Sequence, residues 1–265
     1  MGSAIIKCAG EFSISRSTLS APIIPIPPIE PDAISGLILW LKANSGVTLD
    51  GSNVTGWADQ SGNGNDAYVL NSGEEPEFAS NIINGNPALS FNGTGQVLQI
   101  DDAASLDISA LSVFIVCAKD GNGQQNDVLF IKNGNTENDQ AVYGLVPYSS
   151  GNWKASYDDG DGWSDHDPGF SINNDNNFHI IGYHVNASSS YAFQDNLSPN
   201  NTNAAGTIPT TDGSLQIGGY NQSFGNPSGE FFYGKISEFI LYNNVISQSD
   251  RTGLLSYLNN KYAIY

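Results

Sequence analysis

With 265 residues, 39% hydrophobic and 11% aromatic, the chain is long enough to bury a full core in one large domain or two small ones. Nine Lys and Arg against 27 Asp and Glu leave a formal charge of −18, a field that repels nucleic acid and anionic lipid and argues against both as partners. Two cysteines, Cys8 and Cys117, build no disulfide framework, and 29 Gly with 12 Pro cut the chain into short segments of the kind an all-β fold uses.

No run reaches the ~18 apolar residues of a membrane span, and the start lacks a basic stretch leading into an apolar one, so the expectation is a soluble chain without an export signal. Residues 1–33 differ in composition from the rest. Glu11 to Ser15 alternates Phe12 and Ile14 with polar residues, a pattern able to pair with a neighbouring sheet edge. Ala21 to Asp32 has Pro at five of twelve positions and favours an extended, semi-rigid spacer. Two readings of 1–33 stand side by side: an anchoring arm with a stalk, or a disordered terminus or extra edge strand of the same domain.

From 34 to 265 the pattern is that of a single domain, with no internal repeat. Leu39, Trp40 and Leu41 begin the first apolar strand. Val113, Ile115 and Cys117 alternate with Phe114 and Val116, so the strand over 112–118 is apolar on both faces and belongs to the interior, with Cys117 a small core residue. Asn152 to Tyr157 alternates, and a His-containing strand, FHIIGYHVN, follows. The last stretch begins with Phe232, Ile236, Phe239 and Leu241 interleaved with Lys235, Glu238 and Tyr242, a strand buried on at least one face. Its period then changes: Ser247 and Asp250 form a capping pair, and Leu254, Leu255 and Leu258 recur at helical spacing, predicting an amphipathic helix over 251–260.

Taken together, Leu39 to Leu41, the Trp57-Ala58-Asp59 element, the Ser61-Gly62-Asn63-Gly64 turn, the Phe91-Asn92-Gly93 turn and the closing strand with its Ser-capped helix resemble the laminin-G-like or concanavalin A-like jelly-roll domains of the bacterial and phage type. The resemblance spans about residues 35–265. It implies an all-β, antiparallel two-sheet jelly-roll sandwich with one short C-terminal helix and an extended N-terminal arm. Function is not implied by the fold, because one scaffold carries many unrelated sites.

The catalytic residues of jelly-roll glycoside hydrolases lie two apart on one strand in a Glu-x-Asp-x-Glu pattern, and this sequence has none; its Glu residues are scattered. His179 and His184, five apart on one strand, point to opposite faces, and His166 lies in an acidic loop without a second His or a Cys near it. The expectation is a protein that is not an enzyme. Calcium suits the acidic turns better than zinc, and Asp59, Asn63 and Asp66 are the candidate ligands, with the Asp158–Gly169 loop a second candidate. The alternative at both is that these side chains cap their own backbone turns.

For glycan binding, exposed aromatics beside hydrogen-bonding loops matter, because a sugar offers an apolar ring face and a rim of hydroxyls. Tyr157, Asp161, Trp163, Tyr220 and Asn221 are the candidates, provided their loops share one rim; the alternative is that the aromatics plug those loops against the sandwich. The reading is a non-catalytic carbohydrate-recognition or adhesion module of the lectin type, carbohydrate being the ligand class that the resemblance implies. On that reading the domain is a phage structural protein on the virion surface, a decoration, fibre or tail component for host attachment. It meets a host-surface glycan through the domain and virion proteins through residues 1–33, and forms a homo-oligomer. The alternatives are a structural cementing protein without a ligand, a polysaccharide-active hydrolase, or a secreted or cell-surface protein exported by a signal-independent route.

Overall fold

The computed structural model describes residues 27–120, 128–133, 141–148, 152–158, 163–166, 175–195, 200–203, 208–220 and 230–265. In chain order the strands are β1 (Leu37–Lys42), β2 (Val47–Asp50), β3 (Asn53–Trp57), β4 (Ala67–Tyr68), β5 (Glu77–Ile83), β6 (Asn86–Asn92), β7 (Leu98–Ile100), β8 (Leu111–Lys119), β9 (Phe130–Asn133) and β10 (Ala141–Tyr148). They continue with β11 (Asn152–Asp158), β12 (Trp163–His166), β13 (Phe178–Asn186), β14 (Ser189–Gln194), β15 (Asn200–Asn203), β16 (Leu215–Ile217), β17 (Gly219–Tyr220), β18 (Glu230–Phe231) and β19 (Tyr233–Tyr242), and the chain closes on helix α1 (Gln248–Tyr262).

The protein is mostly β, an antiparallel sheet curled on itself with one helix at its C-terminal end. Its first half runs β5, β6, β19, β8, β13, β14, β15, with β1 alongside the second part of β19. The other half runs β2, β3, β4, β7, β16, β9, β10, β11, β12. Among the described residues one pairing, Asn53 with Glu77, joins the two halves. Contacts between them fill the interior: the Phe130 ring of β9 meets Phe239 of β19 edge-on at 5.0 Å and stacks with Tyr183 of β13 at 6.2 Å.

The two most central strands are those whose sequences are apolar on both faces. Every residue of β8 is buried, and β19 is buried from Ile236 to Tyr242. Alternate residues serve different cores. Val113, Ile115, Cys117, Phe239 and Leu241 face the other half of the sheet, while Phe114, Val116, Ile240 and Tyr242 face the helix. Cys117 is a free, buried thiol, and burial pushes its ionisation far up, so it behaves as a small apolar residue.

Helix α1 forms as its sequence predicts. The Ser247 hydroxyl accepts a hydrogen bond from the Asp250 N–H at 3.1 Å, Asp250 and Lys261 sit at the ends the helix dipole favours, and Ala263 closes the last turn in the left-handed region. Leu254, Leu258 and Tyr262 are buried against the sheet, at roughly 1.5–3 kcal/mol for each leucine. Gly253 is a poor helix former, and its place is explained by Ile29, whose side chain lies where a Cβ on Gly253 would go. Ile29 N–H also donates to Gly253 O at 3.0 Å, and Tyr242 Oη donates to the carbonyl of buried Pro31 at 3.1 Å. The end of the Pro-rich stretch therefore packs on the helix, with Pro31–Ala33 in a short 3-10 turn where the Pro content favours an extended spacer.

Candidate functional site

The Asp59–Asp66 turn joins β3 to β4, and the structure brings Asp59, Asn63 and Asp66 together there. Asp59 Oδ1 accepts from the N–H groups of Trp40 (2.9 Å) and Ser61 (2.8 Å), and its Oδ2 accepts from Ser61 Oγ (2.6 Å) and Asn65 N–H (3.1 Å). Asp66 Oδ1 takes the Asp59 N–H at 2.8 Å, and Asn63 Nδ2 donates to Leu37 O and Ser61 Oγ. Gly62 and Gly64 adopt φ of 88° and 76° with open space where a side chain would be, so backbone conformation alone selects glycine. Both oxygens of Asp59 are thus occupied by donors that a calcium ion would have to displace. Among the described residues no group of three or more His, Cys, Asp or Glu is arranged to hold a metal. We expect equal melting temperatures in calcium and in chelator for this turn; a rise with calcium that Asp59→Asn abolishes would overturn that.

The aromatic candidates separate. Tyr157 lies on β11 opposite Tyr143 of β10 and Ser164 of β12, and Trp163 starts β12 opposite Asp158, so the two share adjacent strands one register step apart. Composition puts Trp163 in a loop, whereas it begins β12; four residues among so many aspartates leave too little alternation to betray a strand. Tyr220 lies opposite Glu230 in the separate β17–β18 ribbon. Asp161 and Asn221 are outside the described residues, as are most of the Asp158–Gly169 loop and residues 1–26 of the arm.

A further cluster was not singled out from the sequence. Across the second half of the sheet one register row reads Gly56, Tyr68, Gln99, Gln216, Ile131, Gly144. The residues flanking Gln99 and Gln216 along their strands, Leu98, Ile100, Leu215 and Ile217, fill the core, so this row lies on the face turned away from it, where Tyr68 and Gln99 are half-buried and Gln216 and Ile131 are covered. Tyr68 Oη donates to Asp101 Oδ1 at 2.6 Å, and Gln99 Nε2 lies 3.4 Å from both. The hydrogen bond to Asp101, then burial, raises the Tyr68 hydroxyl above its ordinary value, so it stays protonated. The group offers a half-exposed ring face, an exposed carboxylate and an amide, which are the surfaces a sugar ring and its hydroxyls require. β4 and β7 have two and three residues, too few for periodicity to show which way Tyr68 and Gln99 point.

The histidines do different work. Ser112 Oγ lies 2.7 Å from His184 Nδ1, a spacing that a nucleophile and its base would have, but both residues are wholly buried. Ser112 Oγ also donates to Asn244 O and accepts from Ile246 N–H, so the pair braces the segment that leads into α1. His179, at the rim, bonds Asp195 Oδ2 at 2.9 Å and faces Asp175 Oδ1 at 3.5 Å.

Comparison with solved structures agrees on the fold. Domain 4 of AbnA, an extracellular arabinanase of Geobacillus stearothermophilus solved with arabinotriose, is similar over 84% of this chain and 99% of that one, at 16% identity and a TM-score of 0.62. Trypanosoma rangeli sialidase, solved with sialic acid, is similar over 89% of this chain at 17% identity and a TM-score of 0.60, but the chain spans only 36% of it. The binding domain of botulinum neurotoxin DC, in complex with SialylT, is similar over 84% of this chain and 51% of that one, at 13% identity and a TM-score of 0.55. No protein-family model and no curated protein matches the sequence.

Proposed function

We propose that the chain is a non-catalytic carbohydrate-recognition or adhesion module on a two-sheet jelly roll of the laminin-G-like, concanavalin A-like kind. The observation that carries this is the cluster of Tyr68, Gln99 and Asp101: an aromatic ring held by a carboxylate and an amide on the sheet face turned away from the core. Support comes from the shared fold of three proteins solved with sugar-type ligands or named for binding, one of them matched over a whole domain. Trp163 on β12 is a second candidate contact on the same half of the sheet, one register step from Tyr157 and so on the other face of the strands. In this reading residues 1–33 hold the module on a larger assembly, a phage virion surface, and the glycan belongs to the host.

A glycan array probed with the full chain tests the reading. Arabino-oligosaccharides and sialylated glycans are the first probes because the similar structures carry such ligands. Binding is expected, and Tyr68→Ala should weaken it by ~1 kcal/mol or more with the fold intact, as Trp163→Ala should if β12 contributes. Absence of any binding across the array sinks the reading.

A further inference from the structure

Against the last turn of α1, three side chains from distant parts of the chain meet. Lys261 Nζ lies 2.8 Å from Glu238 Oε2 and 3.5 Å from Asn44 Oδ1. Glu238 has no exposed surface, the Lys261 side chain is 15% exposed, and the rings of Tyr262 and Tyr257 lie 5.1 and 5.6 Å from the ammonium. Both reacting partners are held by their backbones. Lys261 O accepts from the amides of Asn84 and Asn86 on the β5–β6 hairpin. Asn44 sits in a turn closed by the Ser45 N–H to Lys42 O bond, next to Ala43, whose N–H donates to Ser237 O. An amine, a primary carboxamide and a water-shielded carboxylate in fixed proximity are the parts of an amide exchange.

We propose that Lys261 and Asn44 join as an intramolecular amide crosslink, with Glu238 as the proton carrier. Glu238 Oε2 takes a proton from Lys261 Nζ along their hydrogen bond, and the freed lone pair attacks Asn44 Cγ. The new Cγ–Nζ bond forms and the Cγ–Nδ2 bond breaks. The departing nitrogen takes up the amine's protons and leaves as ammonium through the exposed side of Asn44. One ammonium and one carboxamide become one secondary amide and one ammonium ion; nothing is oxidised or reduced. The link would tie the turn after β1, the first strand, to the helix that ends the domain, so that the two ends of the domain could not be peeled apart by pulling. It is independent of the sugar-binding reading.

Intact-mass spectrometry of the purified full chain, with peptide mapping, decides it. The expected mass is lighter than the sequence mass by one ammonia, with a branched peptide joining the Asn44 segment to the Lys261 segment. Asn44→Ala, at an exposed turn that leaves the buried Glu238 contacts in place, should restore the unmodified mass for its own sequence, and Lys261→Arg should do the same. A wild-type chain at its full sequence mass with the two segments in separate peptides overturns the proposal, as does an ammonia loss that persists in Asn44→Ala.

Discussion

Glu238→Gln should lower the stability of the domain by about 3–5 kcal/mol, because it leaves a buried set of donors with half their acceptor. The Glu238 carboxylate accepts four hydrogen bonds: Trp40 Nε1 at 2.6 Å and Tyr257 Oη at 3.1 Å on one oxygen, Tyr262 Oη at 2.7 Å and Lys261 Nζ at 2.8 Å on the other. These donors come from β1 and α1, so a single side chain on β19 fastens the first strand and the last helix. A glutamine keeps the volume but offers one acceptor oxygen, and its amide turns a donor toward groups that are themselves donors. The carboxylate also pushes the hydroxyl protons of Tyr262 and Tyr257 to ionise far above their ordinary range, after burial itself. Urea unfolding measures the loss. A fall below about 1 kcal/mol would mean that the apolar face of α1, Leu254 and Leu258 above all, holds the helix without this network. Because crosslinking would fail in the same variant, Trp40→Phe separates the effects: it removes one donor, leaves Lys261 and Asn44 in place, and should cost about 1–2 kcal/mol.

That network also shows where the sequence was legible and where it was not. The switch from period two to helical spacing, the Ser247 cap and the apolar run over 112–118 predict β19, α1 and β8 because each signal is local: neighbours in the chain decide the element. Glu238 reads as an outward polar residue alternating with apolar ones, yet it is fully buried, because the face opposite the main core is covered by a helix and by Trp40. Alternation reports that a strand has two faces; it cannot report that both are roofed. The Asp59 turn was legible in its composition, and the capping alternative describes the hydrogen bonds that its side chains make. Tyr68 and Gln99 were hidden for the opposite reason. Their strands are short, and their adjacency arises from pairing β4 with β7, about thirty residues apart, which no local pattern encodes.

Lowering the pH from about 6.5 toward 3 should destabilise the domain through His184, by up to roughly 4 kcal/mol from this residue alone. The ring is buried, stacked on Tyr191 at 4.7 Å and flanked by Phe114 and Phe193; Nδ1 bonds Ser112, while Nε2 has no hydrogen-bond partner among the described residues. Burial first, and the nearby Arg251 guanidinium of α1 second, push it down to about 3. An unfolded histidine takes its proton near 6.5, so between these values the unfolded chain binds more protons than the folded one, and stability falls as the pH falls. His179 on the same strand has the opposite sign. The hydrogen bond to Asp195 raises it against the cost of burial, with Asp175 adding to the pull, so its contribution is complete below about 6.5 and is lost as the pH rises through its folded value. Each histidine therefore has its own signature in urea unfolding at pH 4.5 and pH 7. His184→Phe, which removes the buried proton acceptor, should flatten the difference between the two, whereas His179→Gln, which removes the compensation, should widen it. His179→Gln also takes away the pull of the ring on Asp175, so His184→Phe, which leaves that pair intact, is the cleaner of the two comparisons. An unchanged difference in His184→Phe would show that the imidazole already escapes to water before the rest of the fold gives way.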